Sequence, residues 1–174
     1  GNIWFSDHLK SNALLEACRF NNEKVCEYLA QKHPELVNSS DIMGRTPLHT
    51  AFLVNNEKII KLLFQYGAIG YTTDKFGKNI LHIASSAKFE NAIKTLYFEH
   101  REIFNVTIYQ MDLDGMPPIH YIAEKCSIEI LLFLFSRGMD VNILDRIKRN
   151  PIHYLICKNK YDKAFTLLKT CKEN

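Results

Sequence analysis

Four histidines, His49, His82, His120 and His153, recur at intervals of 33, 38 and 33 residues, and Asp41, Asp74, Asp112 and Asp145 each stand eight residues ahead of one of them. Two markers in phase mean that the chain repeats a unit of about 33 residues, so it folds by stacking similar units rather than by closing one globular core. A further unit lies upstream: Asn21-Asn22-Glu23-Lys24 returns 34 residues later as Asn55-Asn56-Glu57-Lys58, and Asp7 returns as Asp41. In that unit Leu15 stands where the others have histidine.

Aligned on this register, the units read Thr46-Pro47-Leu48-His49-Thr50-Ala51, Asn79-Ile80-Leu81-His82-Ile83-Ala84, Pro117-Pro118-Ile119-His120-Tyr121-Ile122 and Asn150-Pro151-Ile152-His153-Tyr154-Leu155. A Thr-Pro-Leu-His-x-Ala block at this period resembles the ankyrin repeat family. The block at Thr46 is the complete one, and the resemblance runs from Asp7 to the C-terminus. It implies an all-α fold, an ankyrin-repeat solenoid of about five helix-turn-helix units joined by hairpin-like turns. The units are roughly 7–40, 41–73, 74–111, 112–144 and 145–174, in a single domain with residues 1–6 as an N-terminal extension.

The unit can be read without the family. Ile59, Ile60, Leu63 and Phe64 recur at helical spacing, as do Ile93, Leu96 and Tyr97, and Ile130, Leu131, Leu134 and Phe135. Gly67 and Gly138 follow these helices where a left-handed cap is wanted, and Gly44, Gly77 and Gly115 lie three residues after the aspartates, where a tight turn needs positive φ. Pro47, Pro118 and Pro151 sit where a helix would start. Each unit is therefore turn, short helix, tight link, second helix and loop, and its apolar stripe must be covered by a neighbour.

Departures from the pattern are informative. The third unit has five extra residues, in the apolar stretch His100 to Met111, which contains Ile103, Phe104, Val106, Ile108 and Tyr109. The expected loop either folds back over the helices or projects a hydrophobic knob. One extra residue near His33-Pro34-Glu35 predicts a smaller version of it. Lys148 replaces the turn glycine in the last unit, which puts that turn's geometry in question. In the last helix Phe165, Leu167 and Leu168 have no following repeat to cover them, so a further domain or a homo-oligomer contact is expected at that end. Ile3, Trp4 and Phe5 are expected to cap the front, and Gly1 in place of methionine leaves a longer natural chain open.

Function should lie where the framework does not dictate the residue. The resemblance places a binding surface at the tips after each aspartate (His8, Leu9 and Ser11 in the first unit) and at the ends of the first helices. Carried onto this sequence, the protein-binding residues are Phe20, Ile42, Met43, Arg45, Leu53, Val54, Lys75, Phe76, Lys78, Leu113, Met116, Arg146, Ile147 and Arg149. The apolar ones form an expected strip with a mostly positive rim, which suits another protein offering a hydrophobic segment with acidic flanks.

Other chemistry is not expected. Histidines on successive repeats stand about 10 Å apart, too far to share a zinc ion, and the resemblance implies that they are structural. Cys126 and Cys157 lack an orienting Asp or Asn in register for a Cys-His pair, and Gly67-Ala68-Ile69-Gly70 is not a phosphate loop. No catalytic, metal or cofactor residue is assigned. A net charge of +3 and a pI of about 8.5 are modest for a nucleic-acid surface, and none is expected. Five scattered cysteines and the lack of a membrane-length apolar run point to a reducing, intracellular setting, cytoplasmic or nuclear, without membrane insertion. The chain reads as a non-enzymatic protein-protein interaction module. Two alternatives stay open: a regulatory or targeting part of a longer enzyme or channel, and, from a composition rich in Asn, Lys, Ile and Phe, a pathogen factor inhibiting a host protein.

Overall fold

The structure, a computed structural model, describes residues 12–140 and 142–172. The segments holding Ile3, Trp4, Phe5, Asp7, His8, Leu9 and Ser11 lie outside the described residues. Among the described residues there are eleven α-helices, one 3₁₀ turn and no strand. The chain divides into two compact units, 1–84 and 85–174, with the boundary inside α5 (Ile80–Ser86).

The first unit holds α1 (Ala13–Arg19), α2 (Glu23–Lys32), α3 (Pro47–Val54) and α4 (Glu57–Gln65). The repeated Asn-Asn-Glu-Lys tetrad explains the link between paired helices. Asn21 and Asn55 take left-handed conformations at φ 58° and 55°, which asparagine tolerates better than most residues. The next asparagine caps the following helix: Asn22 accepts from the Val25 N–H and Asn56 from that of Ile59 at 3.0 Å. Glu23 and Glu57 then sit in the first turn, where the helix dipole favours an anion. The Glu23 carboxylate also accepts from Asn56 at 3.1 Å and Lys58 at 3.3 Å, tying α2 to α4.

The unit's core is made by one face of each helix. Leu14, Leu15 and Cys18 of α1, Leu48, Ala51 and Phe52 of α3, and Ile59, Ile60 and Leu63 of α4 are fully buried. Each large side chain in that set stabilises the fold by roughly 1.5–3 kcal/mol through removal from water. The extra residue near His33 yields the 3₁₀ turn Pro34–Leu36, which buries Leu36 and Val37.

The second unit holds α6 (Glu90–Glu99), α7 (Arg101–Thr107), α8 (Pro118–Lys125), α9 (Ile128–Ser136), α10 (Pro151–Cys157) and α11 (Tyr161–Lys172). The stretch expected to be a loop is the helix α7. His100 takes the same backbone turn (φ −135°, ψ 53°) that His33 takes ahead of the 3₁₀ turn (φ −134°, ψ 62°). The insertion folds back: Phe104 and Ile108 are buried, and the Phe104 ring meets Tyr97 edge-on at 5.3 Å. Val106, Tyr109 and Met111 remain exposed on its outer side. In α11, Leu167 is fully buried, contrary to expectation, because it faces the unit's own core; Phe165 and Leu168 are exposed.

Lys148 adopts φ 67°, close to the 74–78° of Gly44, Gly77 and Gly115, so the last turn keeps the geometry of the others despite its side chain.

Candidate functional site

The hairpin tips are organised by the repeat aspartates. In each of the four described hairpins one Oδ1 accepts from the N–H groups two and four residues on, at 2.8–3.1 Å. This closes the turn from within, as an Asx turn does. The side chains one and two places after the aspartate are therefore released from framework duty. Within the first unit one hairpin docks on the next through the Lys75 N–H and the Met43 carbonyl at 2.9 Å; within the second, Arg146 N–H meets the Gly115 carbonyl at 2.8 Å.

In the first unit Phe20 (77% exposed), Phe76 (54%) and Leu53 (49%) present their side chains to solvent, with Lys75 exposed beside Phe76. Ile42, Met43, Val54 and Lys78 are half-buried. In the second unit Ile147 (66%), Leu113 (64%) and Arg146 are exposed. Met116 is a correction to the sequence reading: it is buried, and its sulfur faces the Arg149 guanidinium at 3.8 Å. The guanidiniums of Arg45 and Arg149 are likewise committed, binding Asp41 at 2.7 Å and Asp145 at 2.7 Å. Burial alone would raise the Asp145 carboxyl; the Arg149 amide and guanidinium overcome this and hold it below the usual carboxylate range.

The sequence reading missed two tyrosines, each directly after a repeat histidine. Tyr121 donates to Asp112 at 2.6 Å, filling the place that arginine takes at Asp41 and Asp145. Tyr154 donates to Glu124 at 2.9 Å and carries Arg149 and Lys158 against its ring. The His-Tyr pair, His120-Tyr121 and His153-Tyr154, was the available signal.

Comparison with known proteins matches residues 2–74 and 81–174 to the family described as "Ankyrin repeats (3 copies)". The chain belongs to the ankyrin repeat family. It is similar to the human transient receptor potential cation channel subfamily A member 1, 24% identical over 166 residues, 94% of this chain and 15% of the channel. It is also similar to fowlpox virus (strain NVSL) protein FPV244, 30% identical over 132 residues, 76% of this chain and 18% of that protein. A third relative is the chicken nuclear factor NF-kappa-B p105 subunit, 25% identical over 134 residues, 76% of this chain and 13% of the subunit. The chain thus spans less than a fifth of the length of these relatives. Ankyrin repeats are protein-interaction modules, generally without catalysis.

The ankyrin histidines perform framework chemistry. Nδ1 of His49, His82 and His153 accepts from the N–H of the residue that precedes its helix, at 3.2, 3.2 and 3.4 Å. At His120 that residue is Pro117, which has no N–H, and Nδ1 is left buried without a partner. The other nitrogen of His120 donates to the Arg149 carbonyl at 2.8 Å, tying α8 to the following hairpin. Burial depresses the pKa of both His49 and His120, against the opposing pull of nearby backbone carbonyls and aspartates. His153 is exposed.

Cys18, Cys26 and Cys126 are buried, Cys157 is exposed, and burial pushes the Cys126 thiol up to about 12, so it stays protonated. Among the described residues no cluster of three His, Cys, Asp or Glu side chains is placed to hold a metal ion, and no helix is long and apolar enough to cross a membrane.

Proposed function

We propose that the chain is a non-enzymatic recognition module that takes a hydrophobic segment with acidic flanks from another protein, using its hairpin tips and first-helix ends. The carrying observation is Phe76: its turn is already closed by Asp74, so the turn does not require the phenylalanine whose side chain is 54% exposed there. Phe20, Leu53, Leu113 and Ile147 are further apolar anchors exposed at corresponding places. Aromatic and aliphatic anchors inside a charged rim are what protein interfaces use for affinity. Arg45 and Arg149 are committed to aspartates, and the exposed Lys75 and Arg146 are cations that can steer an acidic flank. An intracellular setting, where buried thiols stay reduced, accords with this reading.

The test is titration of a partner recovered on the immobilised protein, with wild type and a Phe76→Asp/Ile147→Asp variant side by side. The expected loss is at least ~2 kcal/mol of binding with an unchanged melting curve. Equal affinity would remove the hairpin tips from the interface.

The small share of each relative that the chain covers favours a second reading, in which the array is the regulatory or targeting part of a longer protein such as a channel. The likeness to a fowlpox virus protein supports a pathogen factor directed at a host protein. Both readings use the same surface.

A further inference from the structure

Lys88, Lys125, Lys160 and Lys163 line an open hollow of about 390 Å³ in the second unit, together with the carboxylate of Glu124. The four lysines come from three places in the chain. Lys88 stands in the link between α5 and α6, Lys125 ends α8, Lys160 precedes α11 and Lys163 lies in its first turn.

The acidic member is already engaged, since Glu124 accepts from Lys125 Nζ at 2.9 Å and from the Tyr154 hydroxyl at 2.9 Å. Lys163 is fixed in place by donating to the carbonyls of Ala123 (3.2 Å), Glu124 (3.4 Å) and Cys126 at the end of α8. Burial, with Lys160 and Lys88 nearby, depresses the pKa of Lys163, while the Glu90 carboxylate pulls the other way. Lys160 and Lys88 thus add positive charge beside an ammonium that burial already penalises, and a bound anion would offset both.

The chain's own pattern marks Lys88 as out of place. The left-handed link residue is Asn21, Asn55 or Asn159 elsewhere, at φ 58°, 55° and 58°, whereas Lys88 sits at φ 63°. Lysine gains nothing from that conformation, and asparagine is the residue it suits. What lysine adds is an ammonium facing the hollow.

We propose that this hollow binds a small polyphosphate anion. Ammonium groups act as compact point charges without the planar fork that matches carboxylates, so several on different elements suit an anion with charge spread over many oxygens. A chain of linked phosphates offers charge to each of the lysines that line the hollow. The hollow shares no residue with the hairpin tips, but it adjoins the first-helix end of α8 at Glu124 and Lys125.

The test is calorimetric titration with sodium tripolyphosphate at low salt, where exposed charges are least screened. Wild type is expected to show saturable one-to-one binding that weakens as salt is added. Lys88→Asn restores the residue the chain uses at this turn, so it should melt at or above the wild-type temperature while its affinity falls about fivefold or more. Lys88→Asn/Lys160→Gln should lose saturable heat, and Lys58→Gln, in the first unit, should bind like wild type. The proposal is overturned by no saturable binding in wild type, by unchanged affinity in the double variant, or by an equal loss in Lys58→Gln. It is also overturned if a polyglutamate peptide binds more tightly and displaces tripolyphosphate, which would make the hollow a docking site for a protein.

Discussion

At Asp145 the carboxylate is held by the amide and guanidinium of Arg149, four residues on; at Asp112 the residue four places on is Met116, and the Tyr121 hydroxyl donates instead. The same two hairpins differ at the turn. Gly115 lies beneath Arg146, whose side chain would meet an added Cβ at 2.3 Å, whereas the equivalent position in the last hairpin is Lys148 at φ 67°. They differ again at the helix start, where Asn150 caps α10 and supplies an N–H to His153, while Pro117 supplies none to His120. Gly115 is therefore demanded by the Arg146 side chain stacked on it, and a repeat residue is replaceable where another side chain supplies the same bond, as Tyr121 does at Asp112.

The largest expected effect separates the two turns. Gly115→Ala should cost about 2–4 kcal/mol, combining steric overlap with a left-handed φ. Lys148→Gly should instead gain about 0.5–1 kcal/mol, because only the backbone preference changes. Denaturant titration of both variants checks this, and equal small effects would mean that stacking does not set the requirement.

Next in size is Tyr121→Phe, which removes a hydrogen bond to a buried carboxylate and should cost about 1.5–3 kcal/mol. A neutral result by thermal melting would show that Asp112 is satisfied by its turn amides alone.

The smallest effects concern the histidines. His49 and His120 have folded pKa values below their unfolded value near 6.5, so the unfolded chain takes up protons first as pH falls. Their contribution to stability is complete above about pH 7.5 and is lost as pH falls through 6.5 toward the folded values. Melting temperatures from pH 7.5 to 5.5 should decline over that window. Pro117→Thr should stabilise the protein by about 1 kcal/mol at pH 7.5 by giving His120 Nδ1 a donor, less the entropic advantage of proline. No gain on melting would show that the orphaned nitrogen carries no penalty.

Much of this was legible in one dimension. The phase of the aspartates and histidines located the units, and the Asn-Asn-Glu-Lys tetrad held a link residue, a cap and a dipole partner in consecutive places. The length of the insertion could be counted, yet its helicity could not, since its apolar residues suit a loop packed on a surface as well as one short helix. Among the surface residues, Phe20, Phe76, Leu113 and Ile147 were correctly read as exposed. Met116 was misplaced because its neighbours include Arg149, 33 residues away in sequence. Arg45 and Arg149 were read as free charges because a four-residue spacing from an aspartate does not reveal a closed ion pair.

The periodic pattern by itself determined that helical pairs would form and stack, because hydrophobic spacing, caps and turn residues act over a few neighbours in the chain. Which polar groups are satisfied, which turn tolerates a lysine and which lysines share a hollow were decided only by tertiary structure. Those outcomes depend on atoms about one repeat apart or more in sequence and a few ångströms apart in space.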